Sequence, residues 1–243
     1  MNKTKTINIA TIFATIVMLI ASMVVLSACG DNNKQLKTIE VGSYNELVTA
    51  VEGDADIIKL SADIVAEGTV KVGRKFVLDM NGKQISNTVD IWNDKTNDWS
   101  LVSVRENGNL TIKGDGKFLT KAYDCYAVDV MDGGKLTVEN GVFVGNISAV
   151  YIYEGHADIK GGKYSIQQLN DNGVESEFGQ MVNLYNENAD ANKASVAITG
   201  GVFKGFNPTD KTHNAHDTLV PDGYEAKLVE GSKSDYEIVK SAK

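Results

Sequence analysis

Residues that commonly staple, kink or catalyse are scarce in this 243-residue chain: two cysteines, two prolines, two tryptophans and three histidines. Two cysteines cannot make a disulfide framework, so stability must come from packing. Cys125 has no histidine near it in sequence and reads as a small semi-buried residue, not a nucleophile. Arginine occurs only as Arg74 and Arg105, and 24 basic against 32 acidic residues leave a net charge of −8. An acidic chain of this kind suits neither nucleic acid nor an anionic membrane surface. Zinc takes three or four protein ligands, whereas His213-Asn-Ala-His216 with Asp210 and Asp217 offers two imidazoles, and His156 lies far upstream. That loop reads as a solvated insertion. Asp115 and Asp132 stand beside glycines as in calcium-binding repeats, but the acid does not recur at a fixed period. No metal and no other cofactor is expected.

One long apolar run is present, from Ile7 to Leu26, preceded by Lys3 and Lys5. This is a signal-peptide layout. An ordinary transmembrane anchor is the alternative, since the run is nearly long enough to span a bilayer. The run ends in Leu26-Ser27-Ala28-Cys29, followed by Gly30-Asp31-Asn32-Asn33, and this resembles the lipobox of bacterial lipoproteins. The resemblance implies cleavage before Cys29 and diacylation of its thiol. It divides the chain into a signal peptide over 1–28, a lipid-anchored polar linker over 29–38 and a body over 39–243. The body would then be extracytoplasmic and held on the bacterial cell membrane by the diacylglyceryl cysteine. Loss of Lys3 and Lys5 would take the charge from −8 to −10.

Against two prolines stand 23 glycines, set among short alternating segments of Val, Ile, Leu and Thr. That mixture reads as mainly β with many tight turns. Four segments repeat one pattern: GNLTIKGDGKF to Phe118, GKLTVENGVF to Phe143, GHADIKGGKY to Tyr164 and ASVAITGGVF to Phe203. Each is preceded by a short apolar alternation, ending at Val104, Val130, Ile152 and Leu184, with spacings of 26, 22 and 32 residues. A unit with two short strands and part of a third cannot bury its apolar side alone. Units stacked about 4.8 Å apart can, as parallel sheets with inward ladders. The expected ladders are Val104, Val130, Ile152, Leu184 on a first sheet; Ile112, Val138, Ile159, Ile198 on a second; and Phe118, Phe143, Tyr164, Phe203 on a third. A β-sandwich is the alternative, but hairpins do not require one motif to recur in one order.

Upstream, Ser43-Tyr-Asn-Glu46 has the form of a capping box opening a short helix with Leu47, Val48 and Val51 on its apolar face. The segments Asp56-Ile57-Ile58-Lys59-Leu60 and Leu78-Asp79-Met80-Asn81-Gly82-Lys83-Gln84-Ile85 follow. With the Gly200-Gly201-Val202-Phe203 ending and the tail through Val220-Pro221-Asp222-Gly223-Tyr224, they resemble right-handed parallel β-helix proteins of the pectate-lyase-like superfamily. They resemble in particular β-helix surface proteins of gut bacteria and their phages. The resemblance implies a single-stranded right-handed parallel β-helix with a short N-terminal capping helix. Around Gly231-Ser232, EAKLVEG and SDYEIVK read as a C-terminal hairpin shielding the last open edge.

By register, the outer side of the first sheet carries Ser103, Asp129, Tyr151 and Asn183 in one column and Arg105, Met131, Tyr153 and Tyr185 in the next. Sugar rings present an apolar C–H face and a rim of hydroxyls, so tyrosines beside Asp, Asn and Arg suit a glycan site. Trp92 and Trp99, in TVDIWNDKTNDWS, enter the first clear repeat and are placed to wall the same groove. The plainer reading is that such tyrosines suit any β-surface and that the tryptophans pin the loop. The candidate ligand-binding set is Trp92, Trp99, Arg105, Asp129, Tyr151, Tyr153, Asn183 and Tyr185, with Cys29 for lipidation and no catalytic residue. The expected function is a membrane-anchored, non-catalytic module for cell-surface or dietary polysaccharide. The superfamily resemblance keeps a small polysaccharide lyase or glycoside hydrolase open, with Asp129 and Asp132 as the nearest carboxylate pair. A structural spacer or protein-binding adhesin is the third reading.

Overall fold

A computed structural model describes residues 35–123, 125–168, 180–210 and 219–242. The leader, Cys29 and the His213/His216 loop lie outside the described residues.

The chain begins with β1 (Thr38–Val41), α1 (Tyr44–Glu52), β2 (Ile57–Leu60) and β3 (Ile64–Val65). Strands then come in threes: β4 (Val70–Val72), β5 (Lys75–Asp79) and β6 (Gln84–Ser86); β7 (Ser100–Val104), β8 (Asn109–Lys113) and β9 (Lys117–Leu119). The pattern continues with β10 (Tyr126–Val130), β11 (Gly134–Val138) and β12 (Val142–Gly145), then β13 (Val150–Ile152), β14 (Gly155–Ile159) and β15 (Lys163–Ile166). The last triplet is β16 (Val182–Leu184), β17 (Ala194–Ile198) and β18 (Val202–Phe203), with α2 (Asn186–Asp190) between its first two members. A hairpin of β19 (Tyr224–Leu228) and β20 (Tyr236–Lys240) ends the fold.

Within each triplet, consecutive strands go to different sheets, and each pairs with its counterpart in the next triplet. The first sheet runs β16-β13-β10-β7-β4, the second β1-β2-β5-β8-β11-β14-β17, and the third β19-β20-β18-β15-β12-β9-β6-β3. All pairings are parallel except those of the terminal hairpin, where β20 runs antiparallel to both β18 and β19. The protein is therefore mainly β with stacked parallel sheets, an arrangement compatible with a β-helix.

All three ladders read from the repeat occur in register. Val104 pairs with Val130, Val130 with Ile152 and Ile152 with Leu184. Ile112, Val138, Ile159 and Ile198 align likewise, and Leu78 extends their row. In the third sheet the rings of Phe118, Phe143, Tyr164 and Phe203 stack near-parallel, with centroids 5.0, 5.1 and 4.8 Å apart. Those separations match the strand spacing, so backbone pairing and ring stacking impose the same repeat. Where the chain turns from first to second sheet, Gly134 and Gly155 face each other, and a Cβ on Gly155 would lie 2.4 Å from the Gly134 carbonyl oxygen. Gly155 also has φ of 131°, a conformation that glycine alone adopts easily.

Helix α1 opens as its sequence suggests. Ser43 accepts from the Glu46 amide at 3.3 Å, and Glu46 reaches back to the Gly42 N–H at 2.7 Å. Leu47, Ala50 and Val51 are its buried residues and join the core, with Val48 at the margin. Its C-terminal carbonyls are met by a side chain from the turn between β4 and β5. Arg74 donates to the carbonyls of Ala50, Val51 and Ala55, each at 2.7 Å, while its guanidinium covers the Phe76 ring.

Candidate functional site

The segment from Asp90 to Trp99 closes on itself. Asn93 and Asp98 exchange backbone hydrogen bonds of 2.8 and 3.0 Å, and the Asn93 side chain accepts from the Lys95 amide. Asn97 takes the left-handed conformation that the turn requires, with φ of 51°, which asparagine tolerates. This closure brings the two indoles side by side with centroids 5.9 Å apart. One carboxylate oxygen, Asp94 Oδ1, accepts both indole N–H groups, at 2.8 Å from Trp92 and 3.1 Å from Trp99.

Arg105, just beyond β7, fastens this loop to the first sheet. Its guanidinium donates to the carbonyls of Thr96 and Asn97 and to Asp98 Oδ1, and its Nε donates to Ser103 Oγ at 2.6 Å. Lys71 approaches the same Asp98 oxygen at 2.9 Å. Both arginines of the chain thus serve as clamps, one on a helix end and one on a loop.

Under the loop lies Asp129, fully buried. It stands between Ser103 and Tyr151 in register, as the column predicts. Ser103 donates its hydroxyl to Asp129 Oδ1, and Ser100 Oγ lies 2.7 Å from Oδ2. Removal from water pushes the carboxyl up to about 6, against the opposing pull of the two hydroxyls and of Arg105. Here the expectation of an exposed Asp129 is corrected: alternation puts the side chain on the outer side of the sheet, but the loop and its clamp cover that side. Arg105, also expected to be free for ligand, has its donors committed to the loop and Ser103.

The rings form one continuous cluster. Trp92 meets Tyr126 edge-on at 5.4 Å, Trp99 meets Tyr151 at 6.0 Å and Tyr153 at 6.1 Å, and Tyr126 meets Tyr151 at 4.9 Å. Tyr153 and Tyr185 continue the row at 4.9 Å. Tyr151 is 8% exposed and serves mainly as the floor. Trp92, Trp99, Tyr126, Tyr153, Tyr185 and Asn183 are half-buried and present open surface. Beside Tyr153, Asn188 of α2 donates to its carbonyl, so the insertion after Tyr185 buttresses the row from its far end. Tyr126 is the ring that sequence reasoning missed. Counting by twos from Val128 assigns it inward, whereas Tyr126 pairs with Ser100, whose hydroxyl reaches the outward Asp129.

The other candidate chemistries are placed as follows. Asp132 occupies a turn with φ of 51°, on an open cleft of about 490 Å³ that Glu52, Lys71, Arg74 and Glu106 also line. It is exposed, whereas Asp129 is buried. Cys125 is fully buried, and burial pushes its thiol up to about 12. On the second sheet, His156 Nδ1 lies 2.8 Å from Ser195 Oγ and Nε2 lies 3.2 Å from Asp158, with the His156 and Asp158 side chains part-exposed. Among the described residues no group of three or more His, Cys, Asp or Glu side chains is arranged to hold a metal ion. Among them, too, no helix is long and apolar enough to cross a membrane. No family model, curated protein or solved structure matches the chain.

Proposed function

We propose that the protein is a lipid-anchored, extracytoplasmic right-handed parallel β-helix, capped at its start by α1, that binds polysaccharide without transforming it. The observation that carries this reading is the aromatic row Trp92, Trp99, Tyr153 and Tyr185, with Tyr126 and Asn183 beside it. Half-exposed rings on a rigid ladder offer C–H stacking area at little cost in side-chain entropy. Asn183 supplies an amide that can both donate to and accept from sugar hydroxyls. Asp129 and Arg105 belong to the scaffold under the row and are not ligand contacts. The anchor is Cys29, and the extracytoplasmic setting follows from the leader.

Glycan-array screening of the soluble body, followed by titration calorimetry on the hits, tests the reading. Trp92→Ala with Tyr153→Ala should lower affinity at least tenfold, and an unchanged affinity in the folded double variant refutes the site. Detergent-phase partitioning of the full chain tests the anchor. Cys29→Ala should abolish partitioning, and retention of it would favour an uncleaved transmembrane segment.

A further inference from the structure

The hydrogen-bond arithmetic around Asp129 is restrictive. Ser100 has one hydroxyl proton, yet its Oγ sits 2.8 Å from the Val102 carbonyl oxygen and 2.7 Å from Asp129 Oδ2. A carbonyl can only accept. If Ser100 donates to Val102, the second contact requires a proton on Asp129. If Asp129 is ionised, Ser100 must turn to it and leave an oxygen facing an oxygen. A neutral Asp129 satisfies every contact at once: it donates to Ser100, Ser100 donates to Val102, Ser103 donates to Asp129, and Arg105 donates to Ser103.

The charged and titratable groups around this carboxyl are few. Arg105 lies at the end of β7, Asp98 on the loop and Lys71 on β4, the latter two joined by an ion pair. Cys125 and Tyr126 at the start of β10, and Tyr151 on β13, complete the shell. Burial pushes Cys125 and Tyr151 up, so both stay neutral through the range in which a carboxyl titrates. Arg105 and Asp98 form an ion pair across the loop clamp, whereas the Asp129 carboxyl is fully buried and held by hydroxyls.

We propose that Asp129 is a proton-operated latch for the Trp92–Trp99 loop: its neutral carboxyl lets the loop stay seated on the first sheet, and its ionisation favours lifting the loop to admit water. The physical link is reciprocal. A cover that keeps water from a carboxyl favours the protonated form, so loss of the proton must favour uncovering. With the covered carboxyl held at about 6 and an uncovered one near its ordinary 3.8, the open-to-closed ratio rises about 100-fold once pH passes well above 6. The loop is seated in acid and loosened toward neutral and alkaline pH.

Both tryptophans of the chain lie in this loop, so intrinsic fluorescence reports it directly. Acrylamide quenching of the soluble body should rise between pH 5 and pH 8 with a midpoint near 6, and Asp129→Asn should flatten the profile. Flat quenching in the native protein, or a profile that persists in a folded Asp129→Asn variant, overturns the latch. Should that variant not fold, ¹³C-carboxyl NMR of the native protein decides: a midpoint for Asp129 near 6 that coincides with the quenching change supports the latch, and a midpoint near 4 sinks it. Tighter glycan binding at pH 5 than at pH 8 rests on the aromatic-face reading above. The quenching and NMR measurements use no ligand, so the two ideas fail separately.

Discussion

Truncation of Phe143 to alanine probes the stacked sheets most directly. The ring is fully buried between Phe118 and Tyr164, at 5.0 and 5.1 Å, with interplanar angles of 11° and 9°. Removing a buried phenylalanine forfeits its transfer free energy and leaves a cavity, together about 3–5 kcal/mol. Neighbouring rungs cannot close the gap, because their strands are pinned on both sides at the sheet spacing. Phe143→Leu keeps most of the apolar volume but loses two ring contacts of about 0.5–1.5 kcal/mol each, so about 1–3 kcal/mol is expected. Val144→Thr, one residue along and pointing outward, should stay within about 0.5 kcal/mol. Urea unfolding followed by circular dichroism measures all three. With a slope of about 3 kcal/mol per molar, Phe143→Ala moves the midpoint down by about 1 M or more. A loss below about 1 kcal/mol at unchanged slope would refute the closed stack, as would equal effects at Phe143 and Val144.

Three further outcomes follow from the geometry. Because burial raises the Asp129 carboxyl from 3.8 to about 6, the folded state holds its proton longer than the unfolded state. Stability from this group is full below pH 4, falls as pH rises toward 6 and is lost above it, a change of about 3 kcal/mol that Asp129→Asn should erase from urea titrations across pH. Equal pH slopes in the two proteins would contradict this. Gly155→Ala places a Cβ 2.4 Å from the Gly134 oxygen at φ of 131°; it should cost more than about 2 kcal/mol and lower the thermal midpoint by several degrees. Arg74→Met leaves the α1 carbonyls of Ala50 and Val51 without their side-chain donor; amide exchange should quicken in α1 while the third sheet stays protected, and uniform acceleration would argue against a local clamp.

The inner wall of this protein was legible because its information is redundant. One motif occurs four times, so the row Phe118, Phe143, Tyr164, Phe203 can be read from any pair of copies. Strand alternation then fixes which side of a sheet each residue occupies, and Asp129 does stand in register with Ser103 and Tyr151. What alternation does not encode is what lies over that side. The cover is one unrepeated loop, whose path depends on Arg105 reaching back to Thr96, Asn97 and Asp98. Among the described residues no copy of that contact exists to reveal it. Tyr126 was missed for a related reason, since strict counting by twos fails where β10 begins. The strand β1 and the short helix α2 were likewise unread: β1 has no copy in the repeat, and α2 sits inside an insertion. The arginines were scarce enough to notice, yet their clamping role follows only from distances.

The hairpin at the end of the third sheet has a consequence for the protein among its neighbours. A parallel sheet left bare would offer its last strand as a template, and another copy could add its own strands in the same direction without limit. Here β20 lies beside β18 with its polarity reversed, and β19 reverses it again. The outer strand β19 again runs in the direction of β18, but Lys227 on β19 and Lys240 on β20 are exposed and put charge on the hairpin, which opposes the docking of another strand. In crowded surroundings, the hairpin makes this sheet a terminus instead of a seed for fibres.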